Sequence, residues 1–232
     1  SNYYAVGMEA QDEGNVKNYG NITLKGKNGV GIKVSDFGKA ENFGNIYVKD
    51  HGTGMLASDS SSVNNYGIIT VIGKGSVGME AFNNATAINE KDGTINAGTG
   101  ALGMRATDNG VIINKGTINI AADANGGMFA LNGGKIENYG KIIIDKKRNP
   151  YLAVIYADND ANIKNEGNII TDGDVNIEVG GTYTIGTTVD KTFGKLTGNN
   201  INLDGNLVVT TAMAKGSYEN SYKLDNMIEG EN

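Results

Sequence analysis

Apolar and polar residues alternate in short runs along most of the chain. This is the two-residue period of a β-strand and differs from the 3.6-residue period of a helix. The runs come in groups of three, and a phrase such as "NYGKI" at 138–142 separates the second run of a group from the third. A second phrase, such as "SVGMEA" at 76–81, marks the first run. The pattern therefore predicts three short strands per group.

These groups are repeats of nearly constant length. The asparagine of the first phrase recurs every 23 to 27 residues, at Asn18, Asn42, Asn65, Asn89, Asn114, Asn138 and Asn165. Three short strands with one apolar face cannot bury that face alone, but stacked repeats close a continuous core. We therefore predict an all-β, three-sheet parallel β-helix of about seven coils, right-handed because β-crossovers favour that hand.

The repeated asparagine keeps the inward parity of the strand before it, so we expect its side chain to point into a corner of each coil. Amides stacked one coil apart can donate and accept along the rod, which predicts an asparagine ladder. The glycine two residues later is expected to give the backbone freedom for a turn. The intervening aromatic residue is expected to project outward and stack, at Tyr19, Phe43, Tyr66 and Tyr139.

A second polar column runs through Asp12, Asp36, Asp59, Asn83, Asp108, Asn132 and Asn159. Such side chains can cap their own turn, which is the reading we favour. Two alternatives stay open for Asp12, Asp36 and Asp59: a bound cation such as Ca²⁺, or the acids of a polysaccharide-cleaving enzyme.

The repeat departs from itself in two connections. "NEKDGTI" at 89–95 has two extra residues, and "DKKRNPYL" at 145–152 is longer than the equivalent connections. Insertions in repeat proteins lie on loops that often bind partners. This predicts a binding site at Lys146, Lys147, Arg148 and Tyr151. Apolar residues expected to face outward, either as a partner surface or beneath the terminal segment, are Leu56, Phe129, Leu131, Tyr156, Ile88 and Ile113.

The period is lost after residue 171. Residues 172–232 still alternate like strands, so we expect terminal coils and a C-terminal β cap there, following a repeat domain at 1–171. The 35 glycines and single proline fit many tight turns. The chain has no cysteine and a net charge of -6, which argue against disulfides and against binding to nucleic acid.

Few motifs point to catalysis or cofactors. "GTGALG" at 98–103 matches a dinucleotide pattern, but a strand is expected where that pattern requires a helix. His51 is the only histidine and is expected to be an ordinary surface residue. No apolar run approaches the roughly 18 residues of a membrane helix. We therefore expect no catalytic residue, no metal and no cofactor.

The repeated Asn-Tyr-Gly and Gly-Met phrases over residues 5–171 resemble passenger domains of Gram-negative autotransporters, especially the large adhesin-type passengers of fusobacteria. "NINLDGNLVVT" and "YKLDNMIEGEN" are similar to the stretch that precedes the outer-membrane barrel in that group. The resemblance implies a barrel-proximal fragment, displayed outside the cell, whose partners are its own barrel and a host-cell or bacterial surface protein or glycan. It implies adhesion or aggregation, as a stalk or a binding module. A polysaccharide-active lyase or hydrolase on the same fold is the alternative.

Overall fold

The structure is a computed structural model, and it describes residues 4–145, 147, 153–158 and 160–170 with their side chains. It also describes the backbone of four further strand segments, at 175–186, 195–197, 201–210 and 228–229. All regular elements in these ranges are β-strands.

The strands succeed one another as three per coil. Coil by coil they are β1 (Val6–Ala10), β2 (Asn15–Asn18), β3 (Asn21–Leu24); β4 (Val30–Val34), β5 (Lys39–Asn42), β6 (Asn45–Lys49); β7 (Thr53–Ala57), β8 (Ser62–Asn65), β9 (Ile68–Ile72); β10 (Val77–Ala81), β11 (Thr86–Asn89), β12 (Thr94–Ala97); β13 (Leu102–Ala106), β14 (Val111–Asn114), β15 (Thr117–Ile120); β16 (Gly126–Ala130), β17 (Lys135–Asn138), β18 (Lys141–Ile144); and β19 (Ile155–Ala157), β20 (Asn162–Asn165), β21 (Asn168–Ile170). Four more follow: β22 (Val175–Gly186), β23 (Lys195–Thr197), β24 (Ile201–Thr210) and β25 (Ile228–Glu229).

Each strand pairs in parallel with its equivalents one coil away. The first face holds β1, β4, β7, β10, β13, β16 and β19; the second begins with β2 and the third with β3. We call the turns between first and second faces the first corner, those between second and third the asparagine corner, and those between third and first the third corner. The predicted right-handed, three-sheet solenoid of about seven coils is confirmed.

The core consists of inward columns that run along the rod. On the first face, Ile32, Met55, Met79, Met104, Met128 and Ile155 have no exposed surface. On the third face, Ile69, Ile95, Ile118, Ile142 and Ile169 are equally buried. Like residues stack on like residues because neighbouring coils are in register, so each coil buries the interior of the next.

The glycine of the asparagine corner is needed for a different reason from the one predicted. Positive φ angles among the described glycines occur at Gly73, Gly75, Gly100 and Gly133, none of which belongs to this column. A Cβ at Gly67 would instead overlap the carbonyl oxygen of Gly44 in the previous coil. The expectation of special turn freedom was therefore wrong, and close stacking of successive corners explains the glycine.

The solenoid continues into the strands beyond residue 171. β22 pairs in parallel with both β19 and β20, so one long strand covers two faces of the preceding coil. β24 pairs in parallel with β22, while β23 and β25 extend the third face. The predicted cap falls largely on residues 211–227, which lie outside the described residues, and it stays a prediction.

Candidate functional site

The asparagine ladder is continuous through seven coils. Each Nδ2 donates to Oδ1 of the next asparagine along the series Asn18, Asn42, Asn65, Asn89, Asn114, Asn138 and Asn165, at 2.7–2.9 Å. All but Asn18 have no exposed surface. A second bond from the same amide reaches the corner carbonyl, as from Asn65 to Gly67 at 3.0 Å. The ladder therefore joins neighbouring coils and also fixes the bend within each coil.

The ladder ends where the repeat phrase ends. Asn165 is in register with Ile185 of β22, so no amide follows it in the column. Within the described part of the chain, the buried Nδ2 of Asn165 has no hydrogen-bond partner. The change of residue type at this position marks the junction between the regular coils and the terminal ones.

Aromatic residues outside the ladder stack as predicted over the first three coils. The rings of Tyr19 and Phe43 are 5.1 Å apart and 7° from parallel, and those of Phe43 and Tyr66 are 4.9 Å apart and 5° from parallel. Tyr139 has a different environment because Lys164 lies 5.2 Å from its ring centroid. Partial burial, and then its hydrogen bond to Glu137, raise the pKa of Tyr139.

The first corner is a column of tight left-handed turns. Asp12, Asp36 and Asp59 have φ of 50–53°, and Asn83, Asp108 and Asn132 have φ of 50–52°. In each turn the carbonyl of the residue before the Asp or Asn accepts a hydrogen bond from the N–H three positions further along, as the Ser35 carbonyl does from Gly38 at 2.9 Å. Asp and Asn tolerate this conformation better than other non-glycine residues.

The predicted capping of each turn by its own side chain is not what the described residues show. Asn83 Nδ2 donates instead to Asp59 Oδ1 of the previous coil at 3.1 Å, and Asn132 Nδ2 donates to Asp108 Oδ1 at 3.3 Å. Asn159 lies outside the described residues. The column is therefore selected by backbone conformation and by contacts between coils.

An open groove of about 380 Å³ follows this corner, lined by Asp36, Phe37, Asp59, Ser60, Asn83, Asn84, Asp108 and Asn109. Its three carboxylates are exposed. In glycosidases the acid is a desolvated carboxylic acid paired with a second carboxylate, a setting that this corner does not provide. Among the described residues, no group of three His, Asp or Glu side chains is placed to hold a metal ion.

The third corner contains the predicted binding loop. Lys147 is exposed, and its backbone N–H donates to Asp145 Oδ1 at 2.9 Å. Lys146, Arg148 and Tyr151 lie outside the described residues, so the site stays a prediction. The exposed His51 belongs to the same corner, and the "GTGALG" residues form a turn there and the start of β13. The described residues include no helix that is long and apolar enough to cross a membrane.

The outward apolar residues named from the sequence are half-buried. This holds for Leu56, Phe129, Leu131, Tyr156, Ile88 and Ile113. Phe129 and Tyr156 contact each other, with centroids 5.5 Å apart. Sequence reasoning missed apolar residues that are exposed, among them Ile68, Ile143 and Ile170 on the third face, which are 45%, 42% and 37% exposed. They could have been found, because each is an isoleucine in an outward column.

Sequence reasoning also missed ion pairs that join neighbouring coils. Lys33 Nζ lies 2.7 Å from Glu9 Oε1, and Arg105 lies 2.6 Å from Glu80. The bond to Lys33 lowers the pKa of Glu9, and the same bond raises the pKa of Lys33. The signal was present in the repeats, since each pair has opposite charges at one position in successive copies.

Comparison with known proteins adds a family to this geometry. The model of the family described as the BigA third pectate lyase-like domain matches residues 2–93 and again residues 74–140, together more than half of the chain. BigA is a bacterial surface adhesin, so the match supports a surface passenger-type domain. No curated protein and no solved structure matches the chain. With its stacked three-strand coils and this match, the chain belongs to the BigA third pectate lyase-like domain family.

Proposed function

We propose that this chain is the stalk-forming passenger segment of an autotransporter-type adhesin, of the fusobacterial kind, close to its outer-membrane barrel. It acts outside the cell in adhesion and has no catalytic role. The observation that carries the proposal is the unbroken ladder from Asn18 to Asn165, with every amide between them bonded to both neighbours. A buried polar column of this kind resists bending, because any gap leaves amides unpaired in the core.

The geometry suits a spacer. Seven coils at roughly 4.8 Å each make a rod about 34 Å long. Parallel strands extend it further through β22 and β24. A rod of this kind holds a distal surface away from the membrane, and its family supports a place on a bacterial surface. The partner of the whole protein is a host-cell or bacterial surface protein or glycan.

A binding role for the segment itself centres on the loop at 145–152. The loop joins β18 to the next coil and carries Lys146, Lys147, Arg148 and Tyr151 in a chain of net charge -6. A cationic loop beside an aromatic ring suits an anionic or hydroxyl-rich surface. Phosphate-backbone binding is not proposed, because the rest of the chain is acidic.

The experiment measures binding of the purified chain to host cells and immobilised glycans. One variant carries Lys146→Gln, Lys147→Gln, Arg148→Gln and Tyr151→Ala. A control variant carries Lys39→Gln, Lys135→Gln and Lys141→Gln, three exposed lysines on the second and third faces. Binding lost in the first variant alone supports a binding module. No binding by the folded wild-type chain supports the stalk, and hydrolysis of a bound glycan would contradict both.

A further inference from the structure

The two corners that flank the first face carry opposite charges over the first three coils. The first corner has Asp12, Glu13, Asp36 and Asp59, whereas the third corner has Lys25, Lys27 and Lys74, with Lys49 at the end of β6 beside it. These eight side chains are exposed, and the one acid of the third corner in these coils, Asp50, is half-buried. The charges recur on successive coils because each corner follows the same coil repeat.

The lysines of the third corner are largely free to bind a partner. Among the described residues, Lys25, Lys27 and Lys74 make no ion pair or side-chain hydrogen bond, and Lys49 is 3.9 Å from Asp50. Other lysines are already engaged within the rod, as Lys33 is by Glu9 and Lys115 is by Glu90. The third corner therefore presents three ammonium groups with no partner in the described part of the rod, those of Lys25, Lys27 and Lys74, and a fourth, Lys49, whose nearest carboxylate is 3.9 Å away.

The first corner offers the complementary surface. Within the described part of the chain, its acidic groups form no ion pair with a lysine or arginine. The groove beside Asp36 and Asp59 has a volume of about 380 Å³ and is open to solvent. A lysine side chain has the length and charge to enter it.

We propose that the third corner of one copy binds the first corner of a second copy, with the two rods parallel and side by side. Both corners flank the same face, so a sideways translation brings them together and keeps the rods parallel. In the same register, the three connections that hold Lys25, Lys49 and Lys74 meet the three turns that hold Asp12, Asp36 and Asp59, because the coil spacing is common to both.

The fourth and fifth coils do not contribute to the contact, and the contact does not close on itself. The fourth coil presents neutral residues at both corners, such as Asn83 and Thr99, and the fifth presents Asp108 and Asp123, which repel. Because the two surfaces differ, each copy keeps one free corner, and rods can add in a row. The inference goes beyond the proposed function, since it needs no host ligand.

Two variants test the contact. The first has its basic corner reversed by Lys25→Glu, Lys49→Glu and Lys74→Glu. The second has its acidic corner neutralised by Asp12→Asn, Asp36→Asn and Asp59→Asn, which keeps the turn because Asn83 adopts a φ of 52° at the same place. A control carries Lys39→Glu, Lys135→Glu and Lys141→Glu and so has the same net charge as the first variant. Circular dichroism verifies that each variant is folded.

Analytical ultracentrifugation then measures self-association in about 0.01 M salt, where the Debye length is about 30 Å, and in about 1 M salt, where it is about 3 Å. We expect the wild-type chain and the control to associate only in low salt. Each corner variant should have a dissociation constant at least about tenfold weaker. An equimolar mixture of the two corner variants should form a one-to-one dimer that does not grow, because each contributes one intact corner.

Three results would overturn the proposal. One is a wild-type chain that stays monomeric in low salt, and another is an equal loss of association in the control. The third is a mixture of corner variants that does not pair. Retention of a monomeric wild-type chain on heparin, lost with the three lysines, would assign the third corner to polyanions instead. None of these results depends on host-cell binding, so the proposed function can fail or stand separately.

Discussion

Asn65 donates its side-chain amide to Oδ1 of Asn89 at 2.9 Å, and both residues have no exposed surface. The two residues are 24 apart in sequence, which is one turn of the solenoid. The same amide also reaches the Gly67 carbonyl at 3.0 Å, while Oδ1 of Asn65 accepts from Asn42. The Asn65 side chain therefore uses both of its N–H donors and one of its two acceptor lone pairs for hydrogen bonds within the core.

Asn65→Ala should destabilise the rod. The substitution leaves Asn42 without its acceptor and Asn89 without its donor, and each unpaired buried group costs about 1–3 kcal/mol. Urea denaturation of the purified chain measures the change as a lower midpoint. Asn45→Ala is the control, because Asn45 bonds Asn21 between coils at 2.8 Å but is exposed, and it should cost about 0.5 kcal/mol or less. An unchanged midpoint for Asn65→Ala would contradict a structural role for the ladder.

Gly67→Ala tests close stacking at the asparagine corner. The added methyl group would overlap the carbonyl oxygen of Gly44, which is held by hydrogen bonds from Asn42 Nδ2 and from the Ile68 N–H. We expect a loss of about 2–3 kcal/mol or misfolding, as for overpacking in a rigid core. Gly26→Ala is matched, since a Cβ there meets nothing within 4 Å, and it should change stability by at most about 0.5 kcal/mol. An equally small loss of stability for both substitutions would contradict close backbone stacking at the asparagine corner.

The sequence predicted the parts of the structure that recur. Seven copies of the Asn-Gly phrase were enough to place the ladder and the three faces, because a residue stacked on its own equivalent leaves a visible column. The reason for Gly67 could not be read from one copy, since it depends on how near the previous coil comes. The ion pairs Glu9–Lys33 and Glu80–Arg105 share one outward column of the first face, but Leu56 separates them, so the charges do not repeat from coil to coil as the asparagines do. The opposite charges of the first and third corners could be recognised only from the structure, because the strand order shows which connections stack on one another along the rod.

The Glu9–Lys33 ion pair predicts a dependence of stability on pH. The hydrogen bond from Lys33 holds the pKa of Glu9 below its usual value of 4.5. A carboxyl group with a lowered folded-state pKa contributes stability above the unfolded pKa and loses it as the pH falls through the folded one. Because Glu9 is exposed, the effect is small and screened by salt.

Urea midpoints measured at a series of pH values for the wild-type chain and Lys33→Gln check this. The difference between them should be constant above about pH 5 and shrink as the solution is made more acidic. Lys39→Gln is the control, since Lys39 is exposed and makes no ion pair among the described residues. A difference that grows on acidification would have the wrong sign for this ion pair.

Removal of residues 172–232 should prevent the rod from folding. β22 pairs with both β19 and β20, and β23 pairs with β21, so the deletion exposes three strand edges at once. Deletion of residues 1–27 also exposes three strand edges, those of β4, β5 and β6. Over the first two faces β22 and β24 share nine residue pairs in one continuous strand each, whereas the N-terminal end has two separate pairings of four, between β1 and β4 and between β2 and β5. The longest pairing is the best candidate for a nucleus on which further coils stack.

Light scattering and circular dichroism should therefore show an aggregated or unfolded 1–171 fragment but a folded, shortened rod for 28–232. A stable, monomeric 1–171 fragment would show that the regular coils fold without the terminal strands.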